Sequence, residues 1–270
     1  MNKFKKIIAL AMLPMLLLCG GCNLFDNDEE QLTQDEMFQK YITAVNQSKI
    51  ATVYTATSLT EFIYNKDVER ELNLTITTDG ENFYSIEEDD DEVSSKAVIK
   101  NENNQYIEYV NEDGVKTTRF TTVDDFEKEF SLVQEGMFST DSIEEIKKSA
   151  DEDLKNMLSL ENEDYIKKDT AQLQIKLQDN LYVLTVTAGA IVEMGEEDSK
   201  IKAKILYIYK IYYKNKIEKF ETKFDVIELN EDETVKENGQ ESSIVSSSNI
   251  KYEYDSSKAI TDFSSYPSIR

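Results

Sequence analysis

The side chains that carry most enzyme and metal chemistry are scarce in this sequence. Its 270 residues include no histidine and two cysteines, Cys19 and Cys22. Catalytic triads built on histidine, and the usual zinc, haem and iron–sulfur ligand sets, therefore lack their residues. No serine stands in a G-x-S-x-G turn, and no G-x-x-x-x-G-K phosphate loop occurs. The thiols near the N-terminus are thus the chemically distinctive groups.

The segment that precedes these cysteines is typical of a secretory signal. Three lysines in the first six residues lead into an apolar run over residues 7–18, shorter than the ~20 residues of a transmembrane helix. Gly20-Gly21-Cys22 then resembles a bacterial lipobox, in which the cysteine is diacylated and becomes the new N-terminus. Cys19 occupies the position where that motif favours leucine. Cleavage before Cys19 is the less favoured site, and an ordinary signal peptide with two incidental cysteines is the alternative.

The lipobox resemblance divides the chain into three parts. Residues 1–21 are expected to be the signal peptide, 22–32 the lipid anchor and an acidic tether, and 33–270 a single extracytoplasmic domain. A diacylglyceryl group on Cys22 and a second acyl chain, such as palmitate, would hold the protein on the extracytoplasmic face of the cell membrane. Membrane is therefore the first expected partner.

Charge excludes one large class of function. The first 21 residues hold three lysines and no acid, so their removal changes the formal charge from −24 to −27. A polyanion of this size repels phosphate backbones, and we expect no nucleic-acid binding. The six consecutive acidic residues 87–92 lack the alternate spacing and glycine of a calcium loop. We expect a solvated loop tip there and no metal site.

The elements that must position any site begin with a helix and then change to strands. Apolar residues recur at helical spacing over 33–50, and Thr33 with Glu36 forms a capping-box pattern. Short strands follow over 52–64 (its second half open to helix), 70–78, 82–86, 96–100, 105–110 and 115–120. Two helices are predicted within 123–160, the second capped by Thr140 or Asp141.

The last third predicts five strands in a row, over 170–178, 181–193, 200–214, 217–229 and 242–255. Their connections are mostly short, which favours antiparallel neighbours in a meander. The whole pattern predicts an α+β fold with a curved antiparallel sheet and helices packed on one face.

A lipobox, a leading helix, a run of hairpins, a helical segment and a closing meander that ends in Phe263-Ser264-Ser265-Tyr266-Pro267 resemble the LolA/LppX-type fold. Several lipoproteins of Gram-positive bacteria share this order. The resemblance implies a half-barrel closed by helices, with lipid or an acylated protein carried in the concavity. It covers most of residues 33–269.

Strand 200–214 carries the candidate ligand site. One of its faces is apolar from end to end, whereas the other begins with lysines and becomes apolar at Leu206 and Ile208. A sheet with one solvated face should alternate throughout, so these two residues require a cover. The expected lining of a cavity is Ile205, Tyr207, Tyr209, Ile211, Tyr213, Phe220 and Phe224. The alternative is that these residues are ordinary core.

Three classes of function remain open. The first is a membrane-anchored lipoprotein that binds or carries a hydrophobic ligand, either a lipid or an acyl chain. The second is a non-catalytic cell-envelope interaction module without a small ligand. The third is an enzyme with paired carboxylates, but no pair stands out among 54 acidic residues. We predict the first class, with no catalytic residues and no cofactor.

Overall fold

The computed structural model describes residues 32–64, 67–90, 92–122, 124, 140–157, 165–194, 201–235, 245–255 and 262–268. These residues form two long helices and twelve strands. The helices are α1 (Gln34–Lys49) and α2 (Ile143–Met157). The strands are β1 (Val53–Tyr64), β2 (Asp67–Asp79), β3 (Phe83–Asp89), β4 (Glu92–Lys100), β5 (Tyr106–Glu112), β6 (Val115–Thr121), β7 (Tyr165–Lys168), β8 (Gln172–Gln178), β9 (Leu181–Met194), β10 (Ile201–Tyr213), β11 (Ile217–Leu229) and β12 (Val245–Tyr254).

The strands of the described residues make one open sheet in the order β6-β5-β4-β3-β2-β1-β12-β11-β10-β9-β7, with β8 also on β9. Every pair is antiparallel. We call β1–β6 the N-terminal meander and β8–β12 the C-terminal meander. The two are joined by β1 and β12, where Tyr54 lies opposite Tyr254.

The predicted α+β class and the antiparallel sheet are confirmed. The order of elements also agrees with the resemblance to the LolA/LppX-type fold: a leading helix, hairpins, a helical segment and a five-strand meander. Strand β1 is extended throughout, so its second half is not helical. Strand β7 was not predicted, because its four residues show no alternation. The first of the two helices expected within 123–160 lies outside the described residues.

Local sequence signals explain the ends of several elements. Ser142 begins α2: its Oγ accepts a hydrogen bond from the Glu145 backbone N–H (3.3 Å), and its own N–H donates to Glu145 Oε2 (3.0 Å). This is a capping box, so the expected cap at Thr140 or Asp141 was placed too early. The β2–β3 turn has Gly80 at φ +89°, which glycine adopts without strain.

The acidic run 87–92 is only partly a loop. Residues 87–89 end β3 and Glu92 begins β4, so the strands extend further than the carboxylate repulsion suggested. The prediction that these carboxylates are solvated agrees with the structure at Glu87, Glu88 and Glu92, which are exposed. Antiparallel pairing costs these side chains little when they point into water.

The two faces of the sheet differ in what they bury. We name them by β10: the tyrosine face carries its odd-numbered residues, and the lysine face carries Lys202, Lys204 and Lys210. The main core lies on the tyrosine face of the C-terminal meander, together with residues of both helices. Small residues such as Ala44, Ala150 and Ala188, each at most 1% exposed, allow helix and strand backbones to approach closely.

Candidate functional site

The seven candidate lining residues lie together on the tyrosine face. Register places Tyr207 opposite Phe224 and Ile211 opposite Phe220 across β10 and β11. All seven belong to or pack against the main core cluster. Five are buried and two, Tyr209 and Phe220, are partly buried. The predicted grouping of these side chains is therefore what the structure shows, whereas their contact with a ligand stays a prediction.

Tyr213 marks the closed end of this face. It is fully buried, its ring stacks on Tyr182 at 5.5 Å between centroids, and it meets Tyr41 of α1 edge-on at 5.6 Å. Its hydroxyl donates to the Met37 carbonyl oxygen at 2.8 Å. A buried tyrosine whose hydroxyl is bonded to a helix backbone is packed core.

Ser48 fastens the end of α1 to two strands. Its hydroxyl donates to the Ala44 carbonyl oxygen and accepts from the Ile217 N–H and the Tyr254 hydroxyl, all at 2.8–2.9 Å. One donor and two acceptor positions are thus satisfied. Because the residue is fully buried, these bonds hold α1 against β11 and β12.

Three aromatic rings form a strip further along the tyrosine face. The centroids of Tyr207 and Tyr209 are 5.8 Å apart, and those of Tyr209 and Phe220 are 6.0 Å apart. Burial, and secondarily the Asp153 carboxylate of α2, raises the pKa of Tyr207 to about 12. The pKa of Tyr209 is raised by burial, with smaller contributions from Tyr207 and Asp153. Both hydroxyls are therefore neutral at physiological pH.

The apolar surface of the tyrosine face continues beyond the helices. The principal helix–strand contacts join α1 to β8, β9 and β11, and α2 to β8 and β9. Past this area Ile250 and Tyr252 of β12 are partly buried beside Tyr54 and Ala56 of β1. A smaller cluster follows in the N-terminal meander, where Ile76 packs on Phe83, Val98 and Tyr106.

A buried carboxylate sits on the same face of the N-terminal meander. Glu108 is 4% exposed. It pairs with Lys96 at 3.2 Å and with Arg119 on the neighbouring strand β6. Burial alone would raise the pKa of Glu108, but hydrogen bonds and charge from Lys96 and Arg119 lower it below its ordinary value. The carboxylate is therefore ionised at neutral pH.

The lysine face carries a groove of about 300 Å³ across four strands. Its walls combine apolar side chains with both signs of charge: Leu59, Glu61, Ile208, Lys210, Glu221, Thr222, Lys223, Ser247, Ser248 and Asn249. Register sets Leu59, Asn249, Glu221 and Lys210 in one row across the sheet. The volume is at the lower end of the ~300–1,000 Å³ typical of ligand sites.

Polar groups in this groove differ in how far they are already satisfied. The Lys219 ammonium pairs with Glu221 Oε1, and the Tyr212 hydroxyl donates a 2.7 Å hydrogen bond to Glu221 Oε2. Burial opposes ionisation of Glu221, but these bonds and the fields of Lys219 and Lys210 lower its pKa below the ordinary value. In contrast, Asn249 Oδ1 is buried without a hydrogen-bond partner in the described part of the chain.

The sequence predicted a cover over Leu206 and Ile208 on this face, not a groove. Leu206 and Ile208 interrupt the alternation of the lysine face, and Ile208 lines the groove. Both are partly buried. The opposite wall on β1 was not foreseen, because it adjoins β10 only through the intervening strands β11 and β12.

Two further observations concern anchoring and metals. Cys22 and the whole of 1–21 lie outside the described residues, so acylation of Cys22 stays a prediction. Where the structure is described, neither helix is long and apolar enough to cross a membrane. The same residues contain no group of three or more cysteine or acidic side chains arranged to hold a metal ion.

The similarities between this chain and solved structures are distant. No family model and no curated protein matches the sequence. The solved structure of LprF from Mycobacterium bovis aligns over 84% of this chain and 96% of its own, at 8% identity and a TM-score of 0.28. The solved structure of a DUF1329 family protein from Desulfovibrio piger aligns over 82% of this chain and 92% of its own, at 12% identity and a TM-score of 0.23. Similarity at this level carries no inference about ligand or activity.

Proposed function

We propose that the chain is an extracytoplasmic lipoprotein that binds a hydrophobic ligand, such as a lipid or an acyl chain, on the tyrosine face of its sheet. Residues 1–21 act as the signal peptide, 22–32 as anchor and tether, and 33–270 as the binding domain. The diacylglyceryl group on Cys22 holds the protein at the outer surface of the cell membrane. The sheet forms a LolA/LppX-like half-barrel with both helices on its tyrosine face. The protein performs no catalysis.

The strip of Tyr207, Tyr209 and Phe220 supports this proposal most directly. It lies where the helix-packed core gives way to partly buried apolar side chains, and two of its three rings remain partly accessible. Ile250 and Tyr252 extend the apolar surface toward the N-terminal meander. An acyl chain laid on this strip gains ~0.8 kcal/mol for each buried methylene.

Charge beside the strip favours an uncharged lipophile. Burial is the main cause of the raised pKa of Tyr207 and Tyr209, and the Asp153 carboxylate adds a smaller contribution to both. A free fatty acid would place a second carboxylate near it, and like charges repel. We therefore expect a neutral glycerolipid to bind better than a free fatty acid. Asp153→Asn should reduce this preference.

Lipid uptake by matched variants tests the proposal. Native mass spectrometry of the chain from Asn23 onward, incubated with 1,2-dioleoylglycerol or oleic acid, measures the bound fraction directly. Tyr209→Arg should abolish uptake, because an unpaired guanidinium on the apolar strip is costly to desolvate. Tyr212→Arg places the same charge on the lysine face of the same strand and should leave uptake unchanged.

Two results would decide against ligand binding. If the wild-type chain takes up neither lipid, or if a folded Tyr209→Arg binds as well as Tyr212→Arg, the tyrosines are ordinary core. The interaction module without a small ligand would then be the better account.

The anchor is tested separately by labelling cells with an alkyne analogue of palmitate. Cys22→Ser should abolish labelling and release the protein from membranes, whereas Cys19→Ser should retain both. Loss of labelling in Cys19→Ser alone would move the acylated cysteine to Cys19.

A further inference from the structure

We propose that the groove on the lysine face is a second binding site, which takes a short peptide with free amino and carboxyl ends. It lies on the opposite side of the sheet from the lipophile site and does not depend on it. Two charged ends, two apolar walls and an unsatisfied acceptor between them indicate this class of ligand.

The Glu61 end of the groove is suited to an ammonium group. Within the described residues, the hydrogen bond that Glu61 receives comes from the Ser247 hydroxyl, at 3.1 Å to Oε2. One hydroxyl leaves most of the acceptor positions of a carboxylate open. Leu59, two residues earlier on the same face, supplies an apolar wall for a neighbouring side chain.

The Lys210 end is suited to a carboxylate. Its nearest carboxylate across the strand pair is Glu221, but Lys219 and Tyr212 already occupy the two oxygens of that group. Lys223 is likewise paired, with Asp225 at 2.8 Å. Lys210 contributes positive charge to the groove: its field acts on Glu221, but no ion pair of 4.0 Å or less joins the two groups. Ile208 lies beside it as a second apolar wall.

Asn249 lies between the two ends. Its side-chain oxygen is buried and unpaired in the described residues, and a buried acceptor without a donor costs free energy. A peptide N–H that crosses the groove would satisfy it once the Asn249 side chain turns outward. The strand backbones are already paired with each other, so the ligand must be held by side chains.

The dimensions set the length of the peptide. Three interstrand spacings separate β1 from β10, which is about 14 Å between their backbones. Three extended residues span about 10 Å, and the Glu61 and Lys210 side chains cover the remainder. A tripeptide with apolar end residues therefore fits better than a single amino acid.

Other ligand classes match the groove less well. A divalent cation needs several carboxylates, and Glu221 is already engaged by Lys219 and Tyr212. An anionic polymer would meet Glu61 as well as the lysines. An acyl chain would leave Asn249 Oδ1 unpaired.

Isothermal titration calorimetry with the full chain in phosphatidylcholine nanodiscs tests the site. The probes are Leu-Ala-Leu with free ends, its N-acetyl derivative and its C-terminal amide. Each modification removes one charge, and loss of one charge-assisted contact should weaken binding about tenfold or more. Free Leu-Ala-Leu should therefore bind best.

Protein variants identify which end binds where. In Glu61→Gln, the free and N-acetyl peptides should bind equally weakly. In Lys210→Met, the free and amidated peptides should bind equally weakly. Glu71→Gln and Lys204→Met are the controls, since both residues lie on the lysine face outside the groove. Both controls should bind like the wild type.

Several results would overturn the proposal. These are no binding of free Leu-Ala-Leu to the wild type, equal binding of all three peptides, or equal losses in the controls. Dioleoylglycerol uptake by Glu61→Gln and Lys210→Met should match the wild type. That measurement separates failure of this site from failure of the lipophile site.

Discussion

The two meanders share one strand architecture but bury their tyrosine faces by different means. In the C-terminal meander, both helices pack on strands whose inward side chains are aliphatic or aromatic, and many are completely buried. In the N-terminal meander, the described cluster on that face is small, and beside it a buried carboxylate is neutralised by two cations. Apolar packing therefore dominates one half, and charge pairing contributes to the other.

This difference indicates where stability is concentrated. Apolar burial is the main favourable term in folding, whereas ion pairs gain little after desolvation. We expect the C-terminal meander with its helices to hold most of the free energy of unfolding. The N-terminal meander should tolerate change more readily, and the Glu108 ion pairs should make its stability depend on pH.

A matched pair of leucine truncations gives the largest expected contrast. Leu154 of α2 is fully buried against the C-terminal meander, whereas Leu74 of β2 is partly buried. Leu154→Ala should lower the free energy of unfolding by about 2–5 kcal/mol, and Leu74→Ala by about 1 kcal/mol. Urea denaturation followed by tyrosine fluorescence measures both, because the chain has no tryptophan. Equal losses would show that the two halves are equally packed.

Removal of the buried carboxylate should have an intermediate, pH-dependent effect. Glu108→Gln removes the carboxylate that pairs with Lys96 and Arg119. Both cations reach solvent, so we expect a loss of about 1–3 kcal/mol at pH 7.

The sign of the pH dependence follows from the lowered pKa of Glu108 in the folded state. Its contribution is present above the ordinary carboxyl pKa of 4.5 and is lost as pH falls through the lower folded pKa. Wild type and Glu108→Gln should therefore converge below about pH 4. Glu112→Gln, at the exposed end of the same strand, serves as the control and should cost little stability at pH 7.

The smallest expected effect concerns helix α2, which packs on the C-terminal meander. Ser142→Ala removes the hydroxyl that caps α2, at a cost of about 1 kcal/mol. Hydrogen exchange in the first turn of α2 should become faster while that of β1–β6 stays unchanged. Thr140→Ala is the matched control. If both variants behave alike, the capping box does not determine where α2 begins.

Local chemistry explains why much of the fold was predictable. Alternation and turn residues fixed β8 to β12 as neighbours, and the helical spacing of α1 and α2 is strong because each buries one stripe. Pairing of β1 with β12 could not be read in the same way. It joins segments about 200 residues apart, and no local pattern records such a partner.

The same difference between local signals and long-range strand pairing separates the two candidate sites. Tyr207, Tyr209 and Tyr213 lie on one face because one strand positions all three, and their contact with a ligand stays a prediction. The groove on the lysine face needs Glu61 and Asn249 beside Lys210, which depends on the register of four strands. The interruption of alternation at Leu206 and Ile208 predicted a cover on this face and did not reveal the groove.

The β1–β12 junction also constrains how the chain reaches its native state in the cell. Tyr54 can pair with Tyr254 only after Tyr254 has been synthesised. At 5–20 residues per second, synthesis of the intervening chain takes about 10–40 s. Until then one edge of β1 has no partner, and an open edge recruits foreign strands. Under the proposed export through a membrane, β1 would gain this partner only after β12 has been translocated. The arrival of β12 would then determine when this edge of the N-terminal meander is protected.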